Sequence, residues 1–323
     1  MSSPWKISKE ILAFKKKAMG ATLNISILGC YAAAPGAFKN PTSQVLDIRN
    51  HMFLIDCGEG TQVALRQNKI RFSRIKHIFI SHLHGDHFFG LMGVITTFSL
   101  LKRTAPLTIY GPKGIKEICL LQLKLSQGFT SYPLHFCEIE DKTPTVIFED
   151  ERVTVTTIPL KHRIYANGFF FQEKDGERKL DINACLQLDI DKAYYTKIKQ
   201  GGDIVLEDGT RIPNDNLSFD PEPPKSYAYC SDTAYKPAIA EQIKGATALY
   251  HEATFLESHI HLCKPTGHST AAHAAQIAAD AEVGNLILGH YSTRYADLNL
   301  FMEEAKPIFE NVHLADDGKV FTF

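Results

Sequence analysis

Residues 81–87 read Ser-His-Leu-His-Gly-Asp-His and follow the apolar run His77-Ile78-Phe79-Ile80. This stretch limits the possible folds more than any other part of the 323-residue chain. A short apolar run closed by a glycine-containing loop predicts a buried strand ending in a turn. His82, His84, Asp86 and His87 would then stand together at the strand's end and point inward. A solvated cluster of histidines has no reason to follow a fully apolar strand. Imidazole nitrogens and carboxylate oxygens are ligands that zinc takes. Four ligands from one loop are too many for a single open catalytic site, so the spacing predicts two metal ions that share them.

Two such sites need further ligands, and three lie just past other apolar runs. His162 follows Val153–Ile158, Asp232 follows Tyr227–Cys230, and His290 follows Leu286–Leu288. Taken alone each is a weak candidate. Their shared placement at strand ends makes them a set.

Short β runs alternate with helix-like segments along most of the chain. Strands are predicted at 23–28, 44–48, 53–55, 77–80, 107–110, 145–148, 153–158, 227–230, 248–250 and 286–288, and helices near 61–68, 113–125, 271–282 and 298–309. This alternation predicts a layered α/β architecture in one large domain over residues 21–323. Residues 1–20 read as an appended extension, in which Ile7, Ile11 and Phe14 recur at helical spacing beside a lysine-rich face. That pattern predicts a short amphipathic helix packed on the body. Residues 173–225 break the rhythm. They are polar, turn-rich and net acidic, and end in Asp220-Pro221-Glu222-Pro223-Pro224, which predicts an inserted arm.

With 44% hydrophobic and 22% charged residues, the chain is neither disordered nor fibrous. A formal charge of −1 gives no general basic footprint, so any contact with nucleic acid must be local. Lys69, Arg71, Arg74 and Lys76 form a small basic run that an ordinary solvated face explains. The seven cysteines are scattered and form no C-x-x-C pair, as expected of a reducing compartment. The most apolar stretch, Phe88–Leu101, is too short to span a bilayer, and the N-terminus lacks the apolar segment of a secretory signal. These features predict a cytoplasmic protein without a membrane partner.

The H-x-H-x-D-H loop, the single His162, the strand-end Asp232 and the late His290 together resemble the metallo-β-lactamase superfamily. Within it the chain resembles the ribonuclease Z family of transfer RNA 3′-processing endonucleases. The likeness runs over most of residues 23–315. It rests on Leu28-Gly29-Cys30 with Pro35, on Asp56-Cys57-Gly58-Glu59, and on Tyr110-Gly111-Pro112-Lys113-Gly114. It continues through Lys197-Ile198-Lys199-Gln200-Gly201, His251-Glu252-Ala253-Thr254-Phe255, His268-Ser269-Thr270 and Ser292-Thr293-Arg294-Tyr295. The metal loop alone identifies only the superfamily; the His-Glu-Ala-Thr and His-Ser-Thr motifs point to ribonuclease Z.

The resemblance implies an αβ/βα four-layer sandwich with a protruding insertion arm. It implies two Zn²⁺ per subunit, with Mn²⁺ an alternative occupant: His82, His84 and His162 hold one ion, and Asp86, His87 and His290 the other. Asp232 would bridge them together with a water or hydroxide that attacks phosphorus, and Asp86 would orient that nucleophile. His268 would be the general acid and Glu252 its partner, with His251 supporting the site from behind. The product implied is a tRNA body ending in a 3′ hydroxyl. Asn40, Thr42 and Ser43 would face the acceptor stem, and Arg294 would bind phosphate. The family's arm grips the tRNA elbow across subunits, which implies a homodimer acting on precursor tRNA.

The chain departs from the family pattern in two places. The segment Asp189-Ile190-Asp191-Lys192-Ala193-Tyr194-Tyr195 lacks the arm's usual glycine and proline, and Ser231 replaces the glycine before the bridging aspartate. An altered arm leaves a second reading open, a dizinc phosphodiesterase or arylsulfatase acting on small esters. A β-lactamase or thioesterase would leave the His268 and Glu252 motifs unexplained. An inactive RNA-binding scaffold would have no use for a complete ligand set.

Overall fold

The computed structural model describes residues 23–33, 36–37 and 39–323. The predicted extension at 1–20 and Pro35 lie outside the described residues. The chain divides into two compact units, one over Thr22–Gln172 with Lys225–Phe323, the other containing Glu173–Pro224.

The larger unit opens with β1 (Asn24–Gly29), β2 (Ser43–Ile48), β3 (His51–Ile55), β4 (Ile75–Phe79), β5 (Leu107–Pro112) and β6 (Leu134–Ile139). It continues with β7 (Val146–Glu149), β8 (Val153–Pro159) and β9 (Asn167–Glu173). The smaller unit carries the two-residue strands β10 (Lys179–Leu180), β11 (Ile204–Val205), β12 (Arg211–Ile212) and β13 (Ser218–Phe219). The chain then returns through β14 (Ser226–Cys230), β15 (Ala248–Glu252), β16 (Leu286–Gly289), β17 (Val312–Leu314) and β18 (Val320–Thr322).

Two seven-stranded sheets result, ordered β18-β1-β2-β3-β4-β5-β6 and β17-β16-β15-β14-β9-β8-β7. Strands β3 to β6 run parallel in the first, and β14 to β17 in the second. Aromatic side chains from both sheets fill the space between them. Phe53 and Phe79 from the first meet Phe169 and Phe171 from the second, with Phe79 and Phe169 centroids 5.4 Å apart. The other face of the first sheet packs Leu54, Ile78 and Ile109 against Val94, Ile95 and Phe98 of the helix Leu91–Leu100. Helix Ala271–Asp280 covers β15 and β16. The fold is the four-layer αβ/βα sandwich of the metallo-β-lactamase class.

Several elements escaped the sequence pattern for identifiable reasons. Phe88–Leu101 carries the helix Leu91–Leu100, whose largely apolar sequence hides the helical period. β9 is buried on both faces, so its three phenylalanines do not alternate. β6 is half-exposed at a sheet edge and carries a weak pattern. The polar reading of 173–225 also needs correction. Cys185, Ile190, Ile198, Ile204, Ile212 and Leu217 come from separate short elements and form a buried cluster of their own.

The metal loop is pressed against the turn after β3. Cys57 N–H donates to the His87 carbonyl at 2.7 Å, and Gly90 N–H to the Cys57 carbonyl at 2.9 Å. This approach leaves no room for a side chain, since a Cβ on Gly90 would lie 1.9 Å from the Gly58 carbonyl oxygen. Backbone cannot yield as a flexible side chain can. Gly90→Ala is expected to cost about 1–3 kcal/mol, the usual range for overpacking, visible as a lowered Tm with reduced metal content. An unchanged Tm would show that the loop and turn can separate freely.

Candidate active site

Each ligand-bearing residue lies just beyond a strand. His82 follows β4, His162 follows β8, Asp232 follows β14 and His290 follows β16, while Glu252 is the last residue of β15. The carboxyl ends of parallel strands thus converge on one place, the usual position of sites in open α/β sheets.

The structure brings all seven predicted ligands together. One donor from each of His82, His84, His162 and Asp232 falls in one tight group, and one from each of Asp86, His87 and His290 in another. Asp232 faces both. Its Oδ1 is 3.2 Å from His87 Nε2 and 3.1 Å from His290 Nε2. Its Oδ2 is 3.5 Å from His82 Nε2 and 3.7 Å from His162 Nε2. Asp86 Oδ2 lies 3.5 Å from both His87 Nε2 and His290 Nε2. It also accepts a hydrogen bond from the Ala33 N–H at 2.9 Å. Burial alone would raise the Asp232 carboxyl, but His290, His87 and His82 hold it well below the usual carboxylate range. Ser231 donates a further hydrogen bond to Asp232 Oδ1 at 3.1 Å, so the departure from glycine adds a donor behind the ligand.

The donors fit a pair of metal ions. His87 Nε2 and His290 Nε2 are buried without a hydrogen bond. His82 Nε2 and His162 Nε2 converge on His84 Nδ1 at 3.0 and 3.2 Å, a convergence of ring nitrogens that suits a shared cation. Burial lowers all three of these imidazoles and favours their neutral, ligating form.

Outward-facing nitrogens fix the rings, as is general around ligating histidines. His162 Nδ1 donates to the Gly267 carbonyl at 2.9 Å, and His290 Nδ1 meets Thr254 Oγ1 at 2.9 Å. His87 Nδ1 donates to Asp56 Oδ2 at 2.7 Å. Asp56 also accepts from Ser81 N at 2.7 Å, Ser81 Oγ at 2.8 Å and Tyr229 Oη at 2.6 Å. Its φ of 53° is unusual for a non-glycine residue, and His290 has a φ of 59°. Sequence reading placed Asp56 only in a turn motif. The available signal was a carboxylate at the end of an apolar strand with no cation nearby in sequence.

Behind the ligands, Glu252 is fully buried and doubly committed. Oε1 accepts from Thr233 N at 2.9 Å and pairs with His268 Nδ1 at 2.8 Å. Oε2 accepts from Thr254 N at 3.0 Å and Thr254 Oγ1 at 2.6 Å. Because its single proton goes to Glu252, the Thr254 hydroxyl accepts from His290 Nδ1–H and leaves Nε2 free to ligate. Burial works against charge on His268, but the Glu252 carboxylate outweighs it and raises His268 to about 9. His251 is fully buried, with Nδ1 on the Glu252 carbonyl at 2.8 Å, and does not line the cavity.

A cavity of about 560 Å³ opens over the cage, lined by His84, Asp86, Asp232, His268, His290 and Arg294 among others. Arg294 sits over the Phe255 ring at 5.3 Å, its Nε donating to Ser292 Oγ at 3.2 Å. Arg163, not singled out from the sequence, lines the same cavity. Of the residues expected to face the acceptor stem, Thr42 and Ser43 have buried side chains, and neither lines the cavity. Asn40 does not line it either. Its Nδ2 donates to the Leu28 carbonyl at 3.1 Å and its N–H to Asp317 Oδ2 at 2.7 Å. In the basic run, Arg74 forms a bidentate pair with Asp47.

Fold and cage define a metal-dependent hydrolase of the metallo-β-lactamase fold. A family model described as Anti-Pycsar protein Apyc1 matches residues 23–208. Ribonuclease Z of Bacteroides thetaiotaomicron is 46% identical over 298 residues, covering 92% of this chain and 94% of the relative. That of Porphyromonas gingivalis is 43% identical over 297 residues, covering 92% and 98%. The solved structure of human tRNase Z, short form, has a TM-score of 0.67 at 26% identity, covering 92% of this chain and 98% of that one. A metallo-β-lactamase fold protein of Bacillus subtilis, at 17% identity and a TM-score of 0.66, shares the fold. The chain belongs to the ribonuclease Z family, and its residues 23–208 to the family that the Apyc1 model describes. It is accordingly a hydrolase of RNA phosphodiesters; these relatives do not favour the small-ester reading. Among the described residues, no helix is long and apolar enough to cross a membrane.

Asp56 gives the sharpest test of how the cage is held. Asp56→Ala is expected to weaken metal binding about 10–100-fold, as loss of such supporting carboxylates does. Titration against a chelator would measure this, and wild-type affinity would rule out Asp56 as the anchor of His87.

Proposed function

We propose that the protein removes the 3′ trailer of precursor tRNA, working as a dizinc homodimer in the cytoplasm. His82, His84 and His162 would hold one ion, Asp86, His87 and His290 the other, and Asp232 both. When bound, two zinc ions bring the pKa of water toward ~7 and offset the charge that builds on the phosphoryl oxygens.

The chain's own residues account for the rest. Asp86 is fixed by Ala33 N–H and faces the cavity, placed to orient the attacking water. His268 keeps Nδ1 on Glu252 and turns Nε2 toward the cavity. Charged at neutral pH, it hands the Nε2 proton to the departing O3′ as the P–O3′ bond breaks, which leaves the tRNA body with a 3′ hydroxyl. The phosphate joins the trailer. Arg294 and Arg163 are suited to phosphates on either side of the cut.

The ion pairs within the insertion leave its net acidity in place, so any RNA contact there must be local. Arg178 pairs with Asp215 and Asp220, Lys179 with Glu222, and Arg211 with Asp203. The cations left for RNA cluster at Lys192, Lys197 and Lys199, on the short helical segments Lys192–Tyr194 and Tyr195–Lys199.

The observation that carries this reading is the buried Glu252, which holds His268 directly and His290 through Thr254. The first experiment uses metal-quantified protein, a labelled precursor tRNA with a 3′ trailer, and a small phosphodiester in parallel. Cleavage near the discriminator nucleotide, abolished by chelation, is expected; turnover of the small ester alone would refute the tRNA assignment. His268→Ala should keep its metals while cleavage slows ~10²–10⁴-fold, the usual range for loss of acid–base catalysis. Asp232→Ala should lose at least one metal, and two retained metals with full activity would eliminate the bridging role.

A further inference from the structure

Two phenylalanines line the cavity beside the cage, the buried Phe255 under Arg294 and the exposed Phe89. The Phe89 side chain is 61% exposed and lines the cavity beside Gly85, Asp86 and Glu59. A single exposed apolar side chain is ordinary on a protein surface. What sets Phe89 apart is how firmly it is held at this place. Its ring rests on Gly85, where a Cβ would lie 2.3 Å from Phe89 Cε2, so the metal loop has a glycine beneath the ring. Its N–H donates to the Gly85 carbonyl at 2.9 Å. On its other flank stands the buried Phe88, at a centroid distance of 5.0 Å and an interplanar angle of 63°. An aromatic surface is therefore fixed within one turn of Asp86 and His87, and most of it stays uncovered by the described residues.

The charges around the cavity indicate what could cover it. Arg163 lines the cavity with no hydrogen bond or ion pair to a described residue, and Arg294 stands in the same wall. A ligand that offers phosphates to cations and a flat, apolar ring to an aromatic side chain is a nucleotide chain. Every base has a π face, so stacking on one aromatic residue tolerates any sequence.

We propose that Phe89 is the stacking platform for the base of a nucleotide flanking the scissile phosphate. The inference rests on the ribonucleolytic reading and adds a subsite to it. It seats the strand over the metals without reading the base. Arg163 then serves a neighbouring phosphate in place of any protein partner.

The test uses the zinc-loaded full chain and precursor tRNA, either intact or abasic at one of the two nucleotides flanking the cut. On intact RNA, Phe89→Ala is expected to lower kcat/KM roughly tenfold to a hundredfold, the range of one base–aromatic stack. Phe89→Trp should stay within a few-fold of wild type, and Phe89→Leu should behave like the alanine variant despite its bulk. On RNA lacking the stacked base, wild type and Phe89→Ala should converge, because the interaction is already gone. An equal loss on all three RNAs, recovery by leucine, or no loss on intact RNA would overturn the stacking role. If metal-loaded wild type cuts none of these RNAs, the tRNA reading itself fails and the subsite fails with it.

Discussion

A single buried carboxylate organises the catalytic end of this protein. Asp232 turns one oxygen toward His87 and His290 and the other toward His82 and His162. A charge at that depth is tolerable only among groups that compensate it. Those groups reach it from both sheets: His82 and His87 from the loop after β4, His162 and His290 from the ends of β8 and β16. The two sheets must therefore stack face to face with these strand ends at one edge of the sandwich, and the aromatic packing of Phe53, Phe79, Phe169 and Phe171 sets that stacking.

The supporting contacts make the cage a connected object. Asp56, fed by Ser81 and Tyr229, links the His87 ring to β3, to the metal loop and to β14 in the opposite sheet. Glu252 joins two histidines of the cage. Through Thr254 it sets the proton on His290, and directly it charges His268. On the proposed mechanism, a change at Glu252 disturbs metal binding and proton transfer together. Geometry of this kind lets second-layer residues matter as much as ligands.

The clustering of the seven candidate donors is legible because each lies just after an apolar run, and the end of a run is a local property of sequence. Asp56 had the same placement and was read only as a turn, because its partner His87 is supplied by folding. The burial of Thr42 and Ser43 is hidden for a related reason: a polar residue beside a loop gives no sign in sequence of how deeply folding buries it. The small core of the insertion was hidden because Cys185, Ile198 and Leu217 come from elements too short to show a period. Alternation of strands with helices exposes a layered α/β architecture, and the resemblance implied the sandwich. Strands buried on both faces, such as β9, gave no alternation to read.

The division of labour follows from these same facts. Residues that hold or move protons are locked by several partners each, and their positions come from strand ends that cannot drift. Residues facing substrate are held differently: Phe89 by a glycine and one aromatic neighbour, Arg294 by a ring and a hydroxyl, Arg163 by no hydrogen bond among the described residues. Rigid chemistry beneath adaptable contacts suits a reaction whose bond is always the same while the surrounding bases vary. The fold separates the two requirements, placing hydrolysis on the sheets and selection on the loops above them.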